Sequence, residues 1–159
     1  EDPPEPYGET AMLRIALMNR AGGLALDADI LRVNENDCRV QLWRDSGGDN
    51  QRWDIYSLPD APGYYKILNS ASGLALAAHL PDVNENDCRI QLWEYGGFDN
   101  QQWELIEVAQ NRYKIANRAS GKLLPAHLFD VRRNGCRTQL WDDVNQSNQI
   151  WTVTAGAQR

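Results

Sequence analysis

The stretch Cys38–Trp43, which reads Cys-Arg-Val-Gln-Leu-Trp, decides the fold because the chain repeats it twice. It returns as Cys-Arg-Ile-Gln-Leu-Trp over Cys88–Trp93 and as Cys-Arg-Thr-Gln-Leu-Trp over Cys136–Trp141, at spacings of 50 and 48 residues. A Gln-x-Trp motif begins 10 residues after the glutamine of each stretch, at Gln51–Trp53, Gln101–Trp103 and Gln149–Trp151. Self-similarity at this period predicts three copies of one structural unit.

The composition of each unit indicates β-structure. Short runs rich in β-forming residues, such as Tyr64–Leu68 and Trp103–Val108, are broken by Gly, Asn, Asp and Pro. No long apolar run at helical spacing is present. We therefore predict about four short strands in each repeat and about twelve in all. Three such units are too few for a propeller, so they must close in another way.

Strand alternation divides the six tryptophans into two classes. In the first stretch Cys38, Val40 and Leu42 are predicted to face inward, which points Arg39, Gln41 and Trp43 toward solvent. The same pattern predicts that Cys88, Ile90, Leu92, Cys136, Thr138 and Leu140 face inward and that Trp93 and Trp141 face outward.

The Gln-x-Trp motifs predict the opposite orientation for their tryptophans. The charged Arg52 and Asp54 are expected to face water, which places Trp53 and Ile55 inside. Trp103 and Trp151 follow by analogy, and the three are predicted to share the core.

Three Gln-x-Trp motifs, each preceded by Gln-Leu-Trp, resemble the ricin B-chain-type lectins and the related carbohydrate-binding modules of glycosidases, over roughly residues 12–154. The resemblance implies an all-β fold, the β-trefoil, in which three hairpins cap a six-stranded barrel around a pseudo-threefold axis. The predicted domain runs over 12–159, with repeats at about 12–60, 61–109 and 110–156. The acidic, proline-rich segment 1–11 is predicted to be an extended arm.

The same resemblance implies a sugar site in the first repeat, formed by Asp27, Gln41, Trp43, Asn50 and Gln51. A carboxylate can accept hydrogen bonds from two adjacent hydroxyls, a carboxamide both donates and accepts, and an indole stacks on the apolar face of a pyranose.

The other two repeats keep the glutamine, tryptophan and asparagine but have Ala77 and Pro125 in place of the aspartate. They are therefore expected to lack the main hydroxyl acceptor. Secondary sugar sites are considered for the second and third repeats, formed by His79, Trp93, Asn100, His127, Trp141 and Asn148. The alternative is that these histidine-containing segments are structured surface loops.

The remaining features restrict the possible functions. A net charge of −6 argues against nucleic-acid partners, and no apolar run is long enough for membrane insertion. The three cysteines are predicted to be small core residues, which leaves a cytoplasmic or a secreted, processed protein open. The acidic loops 34–37 and 84–87 are predicted turns without the spacing of a calcium loop. No catalytic residue, metal site or cofactor is predicted.

The sequence therefore predicts a lectin or agglutinin that binds glycans or glycoproteins mainly through the first repeat, and the family resemblance implies sugars of galactose or N-acetylgalactosamine type. Two alternatives to a free-standing lectin stay open. One is a targeting module of a larger glycosidase or toxin, and the other is a protein-binding β-trefoil such as a protease inhibitor. A homodimer is also left open.

Overall fold

The computed structural model describes residues 12–155, so the predicted arm 1–11 lies outside the described residues. The strands are β1 Met12–Asn19, β2 Ala25–Ala28, β3 Val40–Trp43, β4 Trp53–Ser57, β5 Tyr65–Asn69, β6 Ala75–Ala78, β7 Ile90–Trp93, β8 Trp103–Ala109, β9 Arg112–Asn117 and β10 Trp151–Thr154. Two 3-10 turns occur in each repeat, at Ile30–Arg32, Asp49–Gln51, Leu80–Asp82, Asp99–Gln101, Leu128–Asp130 and Ser147–Gln149. Within residues 12–155, none of the helices has the length and apolar character needed to cross a membrane.

Six strands close a barrel through antiparallel pairing. In order around the barrel they are β1, β4, β5, β8, β9 and β10, and β10 pairs again with β1. The first and third repeats are therefore joined as directly as consecutive repeats are. This closure removes sheet edges and leaves the remaining strands free to form hairpin lobes.

The hairpin lobes differ between repeats. Strands β2 and β3 form the first lobe and β6 and β7 form the second. In the third repeat only isolated bridges join Leu123 to Trp141 and Ala126 to Thr138. Pro125 lies between them, and without an N–H it cannot complete the pair of hydrogen bonds with Gln139. The structure thus has ten strands within residues 12–155, and in the third lobe isolated bridges stand where the other two of the predicted twelve or so strands would lie.

The core contains the tryptophans of the Gln-x-Trp motifs, as predicted. Trp53, Trp103 and Trp151 are fully buried, and their indole N–H groups donate to the carbonyl oxygens of Leu26, Leu76 and Leu124 at 3.0, 2.9 and 2.8 Å. Each core tryptophan therefore anchors one lobe to the barrel. The three cysteines are free and buried, also as predicted.

The prediction that Arg52 faces water is wrong. Its side chain is buried and pairs with Asp45, with Nη1 3.0 Å from Oδ1. A long side chain can lie along the protein with its charge paired, so its charge alone did not determine its orientation.

Asparagine side chains join the lobes in a ring. The Oδ1 atom of Asn36 accepts a hydrogen bond from the backbone N–H of Glu94 at 2.7 Å. Asn86 and Asn134 accept in the same way from Asp142 and Arg44, at 2.9 and 2.7 Å. Each lobe thus binds the residue after the outward tryptophan of the next lobe. The acidic loops are therefore contacts between lobes, and no group of three or more metal-ligating side chains occurs in the described part of the chain.

Candidate functional site

The first lobe places Asp27 among three amide side chains. Asp27 lies on β2 directly opposite Gln41 on β3, and the 3-10 turn that carries Asn50 and Gln51 packs behind the hairpin. Gln41 Nε2 donates to Oδ1 at 3.2 Å, whereas Asn50 Nδ2 and Gln51 Nε2 donate to Oδ2 at 3.3 and 2.9 Å. Four of the five predicted site residues therefore meet at one carboxylate.

This arrangement limits what the carboxylate of Asp27 can accept. Each carboxylate oxygen has about two lone-pair sites, and Oδ2 already accepts two amide hydrogen bonds. The remaining acceptor site lies on Oδ1. By this count the carboxylate has one acceptor site left for a ligand hydroxyl, where the sequence suggested two.

Burial makes Asp27 unusual electrostatically. The residue is 4% exposed. Desolvation by burial raises the pKa of its carboxyl group above 3.8, although the hydrogen bonds from Gln41 and Gln51 act in the opposite direction. The ionised form therefore lies in a site that partly disfavours it.

Trp43 supplies an exposed aromatic surface on the same face of the hairpin. It lies two residues after Gln41 on β3, so alternation directs both side chains to one face. The predicted exposure of the outward tryptophans is confirmed, with Trp43, Trp93 and Trp141 at 42, 43 and 38%. Gln41 was also predicted to face solvent, but it is half-buried. Its side chain donates a hydrogen bond to Asp27.

The second lobe has a wider cavity without a carboxylate at its centre. Ala77 lies opposite Gln91, in the register that Asp27 and Gln41 adopt. The cavity of about 730 Å³ is lined by His79, Leu80, Trp93, Phe98 and Asn100, among others. Its wall is thus largely apolar and aromatic.

The third lobe has a cavity of about 360 Å³ with unsatisfied polar atoms. His127, Gln139, Trp141 and Asn148 line it together with Phe129. Gln139 Oε1, Asn148 Oδ1 and His127 Nδ1 are buried without a hydrogen-bond partner, although His127 Nδ1 lies 3.5 Å from Asp130 Oδ2. Buried acceptors without partners are costly, so the amide oxygens of Gln139 and Asn148 are available to a ligand donor.

Two residues of these cavities were missed from the sequence. Phe98 and Phe129 are 66 and 88% exposed and line the second-lobe and third-lobe cavities. They are the two phenylalanines of the whole chain. The sequence contained a signal for them, because neither phenylalanine lies at an inward position of a predicted strand and both were therefore candidates for exposed aromatic residues.

The cysteines do not offer a nucleophile. Burial raises the pKa of Cys38, Cys88 and Cys136 to about 11, which keeps the thiols protonated at neutral pH.

The closed barrel, the three lobes and the outward tryptophans define the β-trefoil class. The chain belongs to the family of ricin-type beta-trefoil lectin domain-like proteins, whose model matches residues 9–93, 49–127 and 99–159. The predicted family and fold are thus confirmed. No match is found among curated proteins.

Solved structures agree with this fold. The designed threefold-symmetric protein ThreeFoil is 30% identical with a TM-score of 0.81, over 88% of this chain and 96% of that protein. The exo-beta-1,3-galactanase 1,3Gal43A from Clostridium thermocellum is 27% identical with a TM-score of 0.82, and 92% of this chain matches 30% of the enzyme. The ricin B-like lectin of Macrolepiota procera, solved with lactose, is 16% identical over 92% of this chain and 99% of the lectin, with a TM-score of 0.74.

Proposed function

We propose that this chain is a lectin that binds carbohydrate, mainly through Asp27, Gln41, Trp43, Asn50 and Gln51 of the first lobe. One observation carries the proposal. Asp27 is a buried carboxylate held by three amides, and the second lobe keeps the same hairpin with Ala77 in its place. Because the fold does not require the carboxylate, a binding role explains its presence.

The chemistry of the first lobe suits a sugar. The indole of Trp43 supplies an apolar platform for the C–H face of a pyranose ring. Oδ1 of Asp27 accepts one sugar hydroxyl, and Gln41, which spends one N–H on Asp27, has a second N–H for a sugar oxygen. Asn50 and Gln51 hold the carboxylate in place.

Galactose and N-acetylgalactosamine are the first sugars that we propose to test. This choice follows the family resemblance. It is supported by the likeness to a module-sized part of an exo-beta-1,3-galactanase. The same likeness keeps open the alternative that the chain targets a larger enzyme to its substrate. A protein-binding β-trefoil such as a protease inhibitor has no support from a particular contact.

Secondary sugar sites in the other lobes are also proposed. In the second lobe they would use His79, Trp93 and Asn100, and in the third His127, Trp141 and Asn148. The third lobe has the stronger support, because Gln139 and Asn148 present unpaired acceptors beside Trp141. Such a site would take hydroxyl or amide N–H groups on amide oxygens, without a carboxylate at the position that Asp27 occupies in the first lobe.

Trp43→Ala tests the proposed first site directly. We expect about 10-fold weaker sugar binding, since an aromatic contact contributes up to about 1.4 kcal/mol beyond the buried area. A glycan array with wild type and variant identifies the sugar, and titration then measures the affinity. Trp43→Phe is the matched control and should retain most of the binding.

The six indole N–H resonances show by NMR which lobe responds in that titration. Ligand-induced shifts at Trp43 support the first lobe as the main site. Unchanged affinity in Trp43→Ala, with shifts at Trp93 or Trp141 alone, would contradict it.

Sugar binding is expected to weaken in mild acid. The proposed site needs ionised Asp27, and a raised pKa means that this carboxyl takes up its proton at a higher pH than an ordinary aspartate does. Affinity should therefore be constant near neutral pH and fall in acid at a higher pH than it would with an ordinary aspartate. Calorimetric titration across this range measures the effect, and a pH profile in Asp27→Asn that matches wild type would refute the assignment.

A further inference from the structure

A second kind of site lies where the three hairpin lobes meet. Arg39, Arg89 and Arg137 occupy equivalent positions after the three cysteines. Backbone bridges connect Arg39 with Gln91, Arg89 with Gln139, and Arg137 with Gln41, so that each lobe contacts the next in a closed ring. The three arginines therefore surround the pseudo-threefold axis.

A cavity of about 360 Å³ occupies this axial position. All three arginines line it, together with Asp37 and Asp87 and, more deeply, Val40, Ile90, Thr138 and Gln139. The guanidinium groups extend into solvent-accessible space, since the arginine residues are exposed. The axial cavity thus combines open volume with converging N–H donors.

The charges around the cavity are not balanced. Arg89 pairs with Asp37 at 3.2 Å, and Arg137 pairs with Asp87 at 3.4 Å. At the third junction Gly135 takes the place of the aspartate, and Arg39 Nη2 donates to its carbonyl oxygen at 2.7 Å. Arg39 therefore has a neutral partner among the described residues where the other two arginines have carboxylates.

This imbalance favours an anion. Three guanidinium groups and two carboxylates leave one net positive charge in the axial cavity, within a chain of net charge −6. A guanidinium has five N–H donors in a planar fork that matches the oxygens of a carboxylate, sulfate or phosphate. Nη2 of Arg39 is engaged by Gly135, which leaves the rest of the fork for such a group.

The axial cavity adjoins the lobe cavities. It shares Arg89 and Asp37 with the second-lobe cavity, and it shares Arg137 and Gln139 with the third. On the first-lobe side, a Cβ at Gly135 would lie 3.8 Å from Cζ3 of Trp43. An acidic group on a bound glycan could therefore reach the axis from a neighbouring lobe.

We propose that the axial cavity is an oxyanion site in which Arg39 is the principal donor. Its ligand is a carboxylate, sulfate or phosphate group, either free or attached to a glycan. The site does not depend on sugar binding by the first lobe, and the free ion alone should occupy it.

Sodium sulfate is the probe for the first test, with ionic strength held constant by sodium chloride. NMR of the arginine Nε–H groups should give saturable shifts at Arg39 in wild type. Arg39→Gln should weaken binding at least 10-fold. Arg32→Gln is the matched control, because this exposed arginine pairs with Glu35 outside the axial cavity, and it should bind sulfate as wild type does.

Gly135→Asp is a second variant that the repeats themselves suggest. Asp37 and Asp87 hold φ angles of 78 and 79° at the equivalent positions, close to the 88° of Gly135. Aspartate is thus tolerated there, and it would give Arg39 the missing carboxylate partner. We expect a folded protein with sulfate binding at least 10-fold weaker. Wild-type shifts that do not saturate, or sulfate binding in Arg39→Gln and Gly135→Asp as tight as in wild type, would overturn the proposal.

A second arm separates free ions from glycan-borne groups. Galactose and galactose 6-sulfate are compared with wild type and Arg39→Gln. A sulfate advantage that disappears in Arg39→Gln assigns the site to acidic glycans, whereas equal affinities with retained sulfate binding assign it to free ions. If neither sugar binds but sulfate does, the proposed galactose specificity fails and the oxyanion site stands.

Discussion

Asp27→Ala is expected to weaken sugar binding by the first lobe about 100-fold, close to 2.7 kcal/mol, without unfolding the protein. The variant removes the charged acceptor and also releases Gln41, Asn50 and Gln51, whose amides converge on it. Titration with the sugar identified on the array measures the loss.

The fold should tolerate this change for two reasons. The second lobe has alanine at the equivalent position, with the same hairpin register. In addition, burial raises the pKa of Asp27 in the folded protein. A group of this kind stabilises the fold at pH values below its pKa in the unfolded chain, and this stabilisation is lost as the pH rises through its pKa in the folded protein. At neutral pH the ionised carboxylate does not favour folding through this linkage. A large drop in melting temperature for Asp27→Ala would contradict this account.

The repeats supply a gain-of-function control for Asp27→Ala. Ala77→Asp places a carboxylate opposite Gln91, next to Asn100 and Gln101. Nδ2 of Asn100 donates to the Ala78 carbonyl at 2.9 Å, as Asn50 does to Ala28. Ala77→Asp should therefore add binding at Trp93, visible as a new indole shift. If it does so in the Asp27→Ala background, the carboxylate is the determinant.

Trp53→Ala is expected to lower the free energy of unfolding by about 4 kcal/mol. The side chain is fully buried, so its removal opens a cavity in the core. It also leaves the carbonyl oxygen of Leu26 without the indole N–H at 3.0 Å, which loosens the first lobe on the barrel. Urea denaturation followed by circular dichroism measures the difference.

Trp43→Ala is the matched control for Trp53→Ala, because it removes the same side chain from an exposed position. Its unfolding free energy should change by less than about 1 kcal/mol. Equal destabilisation by the two substitutions would show that the division into core and surface tryptophans is wrong.

Much of the fold was predictable because local patterns determine it. The triple repeat, the inward cysteines and the two orientations of tryptophan all follow from spacing and from alternation along single strands. The same motifs carry the family resemblance, and that resemblance identified the candidate site residues Asp27, Gln41, Asn50 and Gln51.

The features that were not predicted depend on contacts between different elements. The side chain of Arg52 is buried and pairs with Asp45 in the preceding loop. In the third lobe isolated bridges replace two strands, and Pro125, which lacks an N–H, lies between them. Whether Oδ2 of Asp27 is free depends on a turn more than twenty residues away. The alternation of residues along a single strand does not show which side chains of other elements will contact it.

The pairing of β1 with β10 has a consequence for how the molecule is assembled. The barrel closes only when β10 of the last repeat pairs with β1 of the first. The lobes close in the same way, because Asn134 in the last lobe accepts a hydrogen bond from the backbone of Arg44 in the first. Most of the native contacts must wait until widely separated parts of the chain meet, which is a topology of high contact order and slow folding. In a nascent polypeptide, the first lobe therefore remains incomplete until the ribosome has delivered the last one.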